Sequence, residues 1–488
     1  MRYATPECRG IPTEAIKRFI DHLNGSNLST HNVIIARGDD IVFEKYWQPF
    51  NSEFLHRMYS VTKSFVAIAL GFLADEGRVD LDAPISRYFP EESAKSPDDN
   101  VRLQTVREML CMRTAYPRGS HNWFNQRCKD RVLEYFTDMT GVLYPAGTLF
   151  RYDSTGSFVL GALVERVTGM TLTEYLDMKL FKKLGIEGAY MLKCPGGHSW
   201  ADSALLMRPI DLVKVGRFML NGGSWAGEQL LSRSFVEEAT SNIVSTATYG
   251  FDNLAELGYG YLIWRTKNNS FFFNGMGCQF AICCPDKDIV FVYNGDNQGN
   301  DLAKSKVIDG FFDIVYNSIT DGALPEYQGE PIGEQKLFSL GGDHTSPITE
   351  RIGGKRYVLL PNPMKISEFV LNFRGKRGSF TYVNETGEKT IHFGFGENVF
   401  EKFPEEGYSD EVGSVPAPGN KYDCASSAAF PTESQLLIRT QIIDKYFGNL
   451  SILFSFRNEY VALEMRKCAE DFLTEYSGIA TGKQAEEF

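Results

Sequence analysis

The chain has 488 residues and a formal net charge of −12, with 43% hydrophobic and 23% charged residues. This length and composition are typical of a globular protein with a large core and two or three domains. The negative charge argues against nucleic acid or an anionic membrane surface as a partner, because no basic field is available to release counterions.

The cysteines and the N-terminal stretch indicate a cytoplasmic protein. Nine cysteines are scattered without C-x-x-C spacing, which disfavours a disulfide framework and a zinc site. The first residues lack an apolar h-region, and no run of about 18 apolar residues occurs, so we expect neither a signal peptide nor a membrane span. The sequence contains neither a G-x-G-x-x-G motif after a strand nor a P-loop, so we expect no cofactor.

The first 320 residues predict an α+β domain. Hydrophobic periodicity predicts a helix over 12–23, a hairpin over 33–47, an apolar helix over 65–73 and a mostly helical region over 100–240. Strands return over 259–266, 270–273, 279–284 and 289–294, and a helix follows over 303–319. Strands from both ends therefore bracket a helical middle, which favours a sheet with segregated helices.

The last third of the chain predicts a separate all-β domain. Residues 320–335 are rich in Gly, Pro, Glu and Asp and predict a linker. Short alternating runs follow at 356–360, 368–374, 379–383, 390–395, 435–443, 450–456 and 460–465. They favour a small barrel or sandwich, with a frayed end over 475–488. The predicted domains are 1–322, with a helical subdomain over about 80–255, and 336–488.

The stretch Tyr59–Phe65 carries the strongest chemical signal. Ser60 precedes Lys63 by three residues at the start of an apolar helix, so the hydroxyl and the amine share one face. The first turn of a helix also favours developing negative charge. Ser60 is a candidate nucleophile, and Lys63 is a candidate base if burial lowers its pKa. Taken alone, this short motif more often marks a serine helix cap followed by a solvated lysine.

Two further segments supply the groups that acyl transfer to Ser60 needs. Tyr152 could relay protons, held partly as phenolate beside a lysine ammonium. In isolation, a core aromatic is the better interpretation of this residue. Gly275 lies in a glycine-rich turn at a strand end, where the N–H of Met276 could join that of Ser60 as an oxyanion donor. Alone, this turn is an ordinary hairpin.

Together, these segments resemble the serine β-lactamase and penicillin-binding superfamily, and in particular its class C β-lactamase, D,D-peptidase and esterase branch. The likeness spans about residues 5–320, and several boxes agree in order. It implies a β-lactamase/transpeptidase-like fold, an acyl-enzyme mechanism and a substrate loop containing Trp123 between the first two boxes. The segments that carry it are RMYSVTKSF and LADEGRVDL from 57–65 and 73–81, PAGTLFRYDS from 145–154, YLIW from 261–264 and NGMGCQ from 274–279.

Two departures from the family pattern bear on the substrate. The second box ends in Ser154 where the family has Asn, so Ser154 would orient Lys63 or the substrate through a hydroxyl. The third box begins with Phe273 and Asn274 where a cationic or polar residue normally helps to hold a substrate carboxylate. We therefore expect an esterase or amidase that acts on a small molecule or peptide, with β-lactamase, D,D-peptidase or D-aminopeptidase activity as an alternative.

Other functions remain open on the same scaffold. An acyltransferase would use the same acyl-enzyme with an alcohol or amine in place of water. A non-catalytic binding protein is consistent with the altered boxes, although the intact Ser60, Lys63 and Tyr152 argue against it. The C-terminal domain could cover the site, bind a partner or mediate homodimer formation.

Overall fold

The structure, a computed structural model, describes residues 1–114, 130–137, 145–247, 257–413, 415–470 and 472–486. The chain divides into two compact units. The first comprises Met1–Lys336 together with Asp410–Val415, and the second comprises Leu337–Ser409 and Pro416–Phe488. Within the described ranges, no helix has the length and apolar character needed to cross a bilayer.

The first unit is built on an eight-stranded sheet. Neighbouring strands are antiparallel, except that the two shortest strands pair parallel to Asp40–Gln48. The strand order brings the two ends of the unit together, because Thr30–Arg37 pairs with Ile289–Gly295. Across the sheet, the strands are Arg2–Tyr3, Asp40–Gln48, Thr30–Arg37, Ile289–Gly295, Gln279–Cys284, Ser270–Gly275 and Trp264–Thr266, with Gln335–Lys336 also on Asp40–Gln48.

Helices cover both faces of this sheet, since its central strands are apolar on both sides. Phe291 stacks on Phe311 at a ring-centroid distance of 4.2 Å. The adjacent residue, Val290, faces the opposite side and packs against Gly216. The helices of the unit are Thr13–Gly25, Val61–Asp75, Pro90–Ser93, Asp99–Leu103, Val106–Leu110, Arg131–Thr137, Ser154–Thr168, Leu172–Leu176, Lys182–Leu184, Pro209–Leu220, Arg233–Ala239 and Ala303–Gly310.

Smaller elements complete the first unit. Short antiparallel pairings join His56–Arg57 and Tyr190–Met191 to Leu205–Met207, and Ser224–Trp225 to Glu228–Gln229. The predicted helix over 303–319 is α-helical only to Gly310. It continues as a π-helical turn over Phe311–Val315 and a 3₁₀ turn over Tyr316–Ser318.

The second unit is a closed β-barrel, which is one of the two all-β forms that the sequence predicts. Its ten strands follow one another in antiparallel pairs. Nine of them form a ring, which the parallel pairing of Gly387–Phe395 with Asp423–Thr432 closes. Its interior is filled by buried aromatic rings such as Phe369, Phe380 and Phe454. In order, the strands are Gly387–Phe395, Arg377–Asn384, Glu368–Arg374, Arg356–Leu359, Gly478–Gln484, Tyr460–Ala469, Phe447–Arg457, Gln435–Ile443, Asp423–Thr432 and Val399–Lys402, and the helix Ile348–Ile352 precedes them in the chain.

Two features of the barrel differ from the sequence expectation. The end of the chain is not frayed over 478–484, because Gly478–Gln484 pairs with Tyr460–Ala469 on one side and Arg356–Leu359 on the other. The strands Val399–Lys402 and Asp423–Thr432 are absent from the prediction. The run of Ala and Ser in Asp423–Thr432 lacks the β-branched and aromatic residues that signal a strand.

Candidate active site

Ser60 lies at a sharp junction between a short strand and a long helix. The strand His56–Arg57 ends three residues earlier, and the helix Val61–Asp75 begins directly after Ser60. Tyr59 has a φ of +47°, a left-handed conformation that is uncommon for a non-glycine residue and recurs at functional sites. Ser60 occupies the N-cap position, but its side chain makes no capping hydrogen bond. The hydroxyl is therefore available for chemistry, which disfavours the helix-cap interpretation.

Lys63 contacts Ser60 directly. Its Nζ donates to Ser60 Oγ at 2.9 Å and to the backbone oxygen of Asp202 at 2.6 Å, and the residue is 1% exposed. Burial lowers the pKa of Lys63 to about 8, although the carboxylates of Asp202 and Asp153 oppose this shift. About a tenth of the amine is therefore neutral at pH 7, and this form can accept the proton of Ser60.

Tyr152 completes the group around the Ser60 hydroxyl. Its phenol shares a hydrogen bond with Ser60, and the Lys63 Nζ lies 5.1 Å from the centre of its ring. Burial raises the pKa of Tyr152 well above its ordinary value, which outweighs the opposing effect of the Ser60 hydrogen bond. The expectation of a partial phenolate is therefore not supported; the side chain is a neutral phenol that can donate or relay a proton.

An aromatic wall lies beside Tyr152. The indole of Trp264 stacks on the Tyr152 ring at 5.8 Å, and it also meets the rings of Tyr259 at 4.8 Å and Phe150 at 5.7 Å. These contacts fix the orientation of the Tyr152 ring.

The glycine-rich turn approaches Ser60 from the sheet. Gly275 ends the strand Ser270–Gly275 directly against Met58, where an added Cβ would lie only 2.4 Å from the Met58 carbonyl oxygen. Within the described part of the chain, the backbone N–H groups of Ser60 and Met276 donate to no protein acceptor. Both groups are therefore candidate donors to a developing oxyanion.

Gln279 fixes the turn that carries Met276. Its Nε2 donates to the carbonyl oxygen of Met276 at 2.8 Å and to that of Gly295 at 2.7 Å. Asn294 donates in turn to Gln279 Oε1 at 3.1 Å. Gln279 lies inside the quoted third box, but its sequence position alone does not reveal this bridging role.

Ser154 and Phe273, the altered residues of the second and third boxes, lie in different environments from each other. Ser154 is the first residue of the helix Ser154–Thr168; among the described residues, Lys63 is held by Ser60 and Asp202 rather than by Ser154. The side chain of Asp153, rather than Ser154, caps this helix by accepting from the N–H of Gly156 at 2.9 Å.

Phe273 packs in the core beside the Ser60 helix. The residue is fully buried, and its ring packs 6.5 Å from that of Phe65 on the Ser60 helix. The next residue, Asn274, is half-buried and points to the other side of the strand. Trp123 lies outside the described residues. Among the described residues, no group of three or more His, Cys, Asp or Glu side chains is placed to hold a metal ion.

Comparison with known proteins identifies the family. The family model described as beta-lactamase matches residues 16–306. The 6-aminohexanoate-dimer hydrolase of Paenarthrobacter ureafaciens is 29% identical over 266 residues, which cover 51% of this chain and 67% of that protein. Esterase EstB of Burkholderia gladioli is 26% identical over 172 residues, which cover 32% of this chain and 43% of the esterase.

A solved structure supports the same fold. A penicillin-binding protein homologue from Caulobacter crescentus aligns with a TM-score of 0.52 at 16% identity, covering 65% of this chain and 99% of that one. The chain belongs to the beta-lactamase family, as the resemblance implies. The prediction of a β-lactamase-related serine hydrolase is confirmed by this family and by relatives that are a hydrolase and an esterase.

Proposed function

We propose that Ser60 is the nucleophile of an acyl-enzyme reaction on ester or amide bonds. The observation that carries this proposal is the 2.9 Å hydrogen bond between Lys63 Nζ and a Ser60 hydroxyl that caps no helix. Neutral Lys63 accepts the hydroxyl proton as Ser60 Oγ attacks the substrate carbonyl. The N–H groups of Ser60 and Met276 stabilise the oxyanion of the tetrahedral intermediate.

The proton then returns to the leaving group. The Lys63 ammonium supplies it through the phenol of Tyr152, which is hydrogen-bonded to Ser60 and close to the lysine amine. Departure of the alcohol or amine leaves an ester on Ser60. In deacylation, water attacks this ester and the same amine takes the water proton. The resulting ammonium gives this proton to Ser60 Oγ, which leaves as a hydroxyl again.

We propose a small-molecule or peptide substrate that is held without a strong cation at the third box. Phe273 is turned into the core, so this position offers no charge-assisted contact to a substrate carboxylate. The neighbouring Asn274 carries only a neutral amide. This arrangement favours esters and amides over typical β-lactams and the carboxylate ends of peptides.

A labelling experiment tests this function. Wild-type protein is treated with a fluorophosphonate probe and assayed for p-nitrophenyl ester turnover beside Ser60→Ala. Ser52→Ala provides the matched control, because Ser52 is an exposed serine outside the site. We expect labelling and turnover in the wild type and control only.

The alternatives predict different results. Absence of labelling and turnover in the wild type would favour a non-catalytic binding protein. Efficient nitrocefin hydrolysis would contradict the argument from Phe273.

A further inference from the structure

A buried ion pair lies behind Lys63. Arg131 and Asp202 have side chains that are each 1% exposed, and Arg131 Nη1 lies 3.1 Å from Asp202 Oδ1. The Arg131 guanidinium also lies over the ring of Phe158, with its central carbon 4.1 Å from the ring centre. Arg131 begins the helix Arg131–Thr137, whereas Asp202 precedes the strand Leu205–Met207. The pair therefore joins two distant segments beneath the site.

Asp202 contacts Lys63 through its backbone. Its carbonyl oxygen accepts from Lys63 Nζ at 2.6 Å, while its carboxylate faces Arg131. A buried ion pair contributes little net stability because desolvation offsets the attraction, so an apolar pair could fill the same space. The location of this pair beside a lysine amine therefore points to a role in the chemistry.

We propose that Arg131 and Asp202 are positioning residues that hold Lys63 against Ser60 and balance the charge around its amine. The inference rests on the proposed function of Lys63 as the base. The backbone of Asp202 fixes where the amine lies, and Arg131 fixes Asp202. The opposite charges of the pair set which protonation state of the amine the pocket favours.

The two members of the pair act on Lys63 with opposite sign. The charged and titratable groups that face the amine are Asp202, Arg131, Asp153 and the phenol of Tyr152. Burial is the largest cause of the lowered pKa of Lys63; Asp202 raises that pKa, and Arg131 lowers it further. Neutralising Asp202 should therefore favour the neutral amine, and neutralising Arg131 should favour the ammonium.

The test compares Asp202→Asn, Arg131→Gln and the double variant with wild type. Asp202→Asn removes the charge and keeps the backbone acceptor. The pKa of Lys63 is measured directly by NMR titration of ¹³Cε-labelled lysine, with Lys63→Arg identifying the resonance. In parallel, the acid limb of kcat/KM is measured with a p-nitrophenyl ester. Circular dichroism and thermal unfolding show which variants are folded.

We expect the pKa of Lys63 to fall by roughly one unit in Asp202→Asn and to rise by a similar amount in Arg131→Gln, because each variant removes one unit charge that acts on the buried amine. The double variant, which is neutral and similar in shape, should return close to the wild-type value. One folded single variant is enough to test the sign.

An unchanged pKa, or shifts of the same sign in both single variants, would overturn the inference. A folded double variant in which the pKa of Lys63 equals that of either single variant would also overturn the inference. If the pKa of Lys63 measured by NMR moves as expected while the apparent pKa of the acid limb of kcat/KM stays unchanged, the charge balance is supported and the assignment of Lys63 as the base is wrong.

Discussion

The substitution Gly275→Ala tests whether the glycine-rich turn must approach the nucleophile closely. An added Cβ would lie 2.4 Å from the backbone oxygen of Met58 and 2.9 Å from Gln279 Cβ. Ordinary contact begins at 3.4 Å, so the turn and the segment before Ser60 must separate by about 1 Å. Neither neighbour is the far end of a flexible side chain, so the separation moves backbone that carries Ser60 and Met276.

This displacement should act on catalysis more than on substrate binding. A misplacement of about 1 Å costs about 10²-fold in rate, which corresponds to about 2.7 kcal/mol of transition-state stabilisation. Loss of an aligned oxyanion donor alone has a similar effect, about 10²–10³-fold in kcat. We therefore expect kcat for a p-nitrophenyl ester to fall about 100-fold or more in Gly275→Ala, with a much smaller change in KM.

A matched control separates this effect from a general effect of alanine. Gly25 ends the helix Thr13–Gly25, and an added Cβ there meets nothing within 4 Å. Gly25→Ala should keep wild-type kcat. The reasoning is refuted if Gly275→Ala is folded, as judged by circular dichroism and thermal unfolding, and retains more than about half of the wild-type kcat.

Four further outcomes follow from the same geometry. The kcat/KM of the wild type should rise with pH up to about 8, because only neutral Lys63 is a base; a flat profile between pH 6 and 8 would contradict this. Tyr152→Phe should lower kcat by about 10²–10⁴-fold in steady-state assays, and an unchanged rate would exclude the proton relay. Gln279→Leu removes the bond to the Met276 carbonyl in the turn and the bond to the Gly295 carbonyl in the neighbouring strand, so kcat should fall about tenfold or more at nearly constant KM. A wild-type kcat in this variant would show that the turn keeps its conformation without Gln279. Thr105 caps the helix Val106–Leu110, so Thr105→Ala should lower the free energy of unfolding measured in urea by about 1 kcal/mol and leave turnover unchanged. Thr105→Ser should change the free energy of unfolding little, and an equal loss of stability in both variants would argue against this capping role.

Local signals in the sequence predict much of this structure. The capping box of Thr105 and Glu108 is one such signal, because both of its hydrogen bonds join residues only three apart. The barrel strands Glu368–Arg374 and Gln435–Ile443 match their predicted bounds, since alternating apolar residues determine which side chains face the interior. The contact of Ser60 with Lys63 follows in the same way from helical spacing.

Contacts between distant segments could not be read from the sequence. Asp202 supports Lys63 through a backbone oxygen, which any residue type could supply. The ion pair between Arg131 and Asp202 joins residues 71 positions apart and leaves no spacing pattern. Phe273 aligns with a polar position of the family pattern, but only its packing against Phe65 shows that it faces the core.

The most direct test of the account is the identity of the residue that becomes acylated. The protein is mixed with a slowly deacylating aryl ester, quenched in acid, digested and analysed by peptide mass spectrometry. The account predicts a single acyl adduct, on Ser60 in the segment Arg57–Phe65, that is absent from Ser60→Ala and greatly reduced in Lys63→Met. An enzyme that turns over the ester while its adduct lies on another residue, or with undiminished turnover in Ser60→Ala, would contradict it.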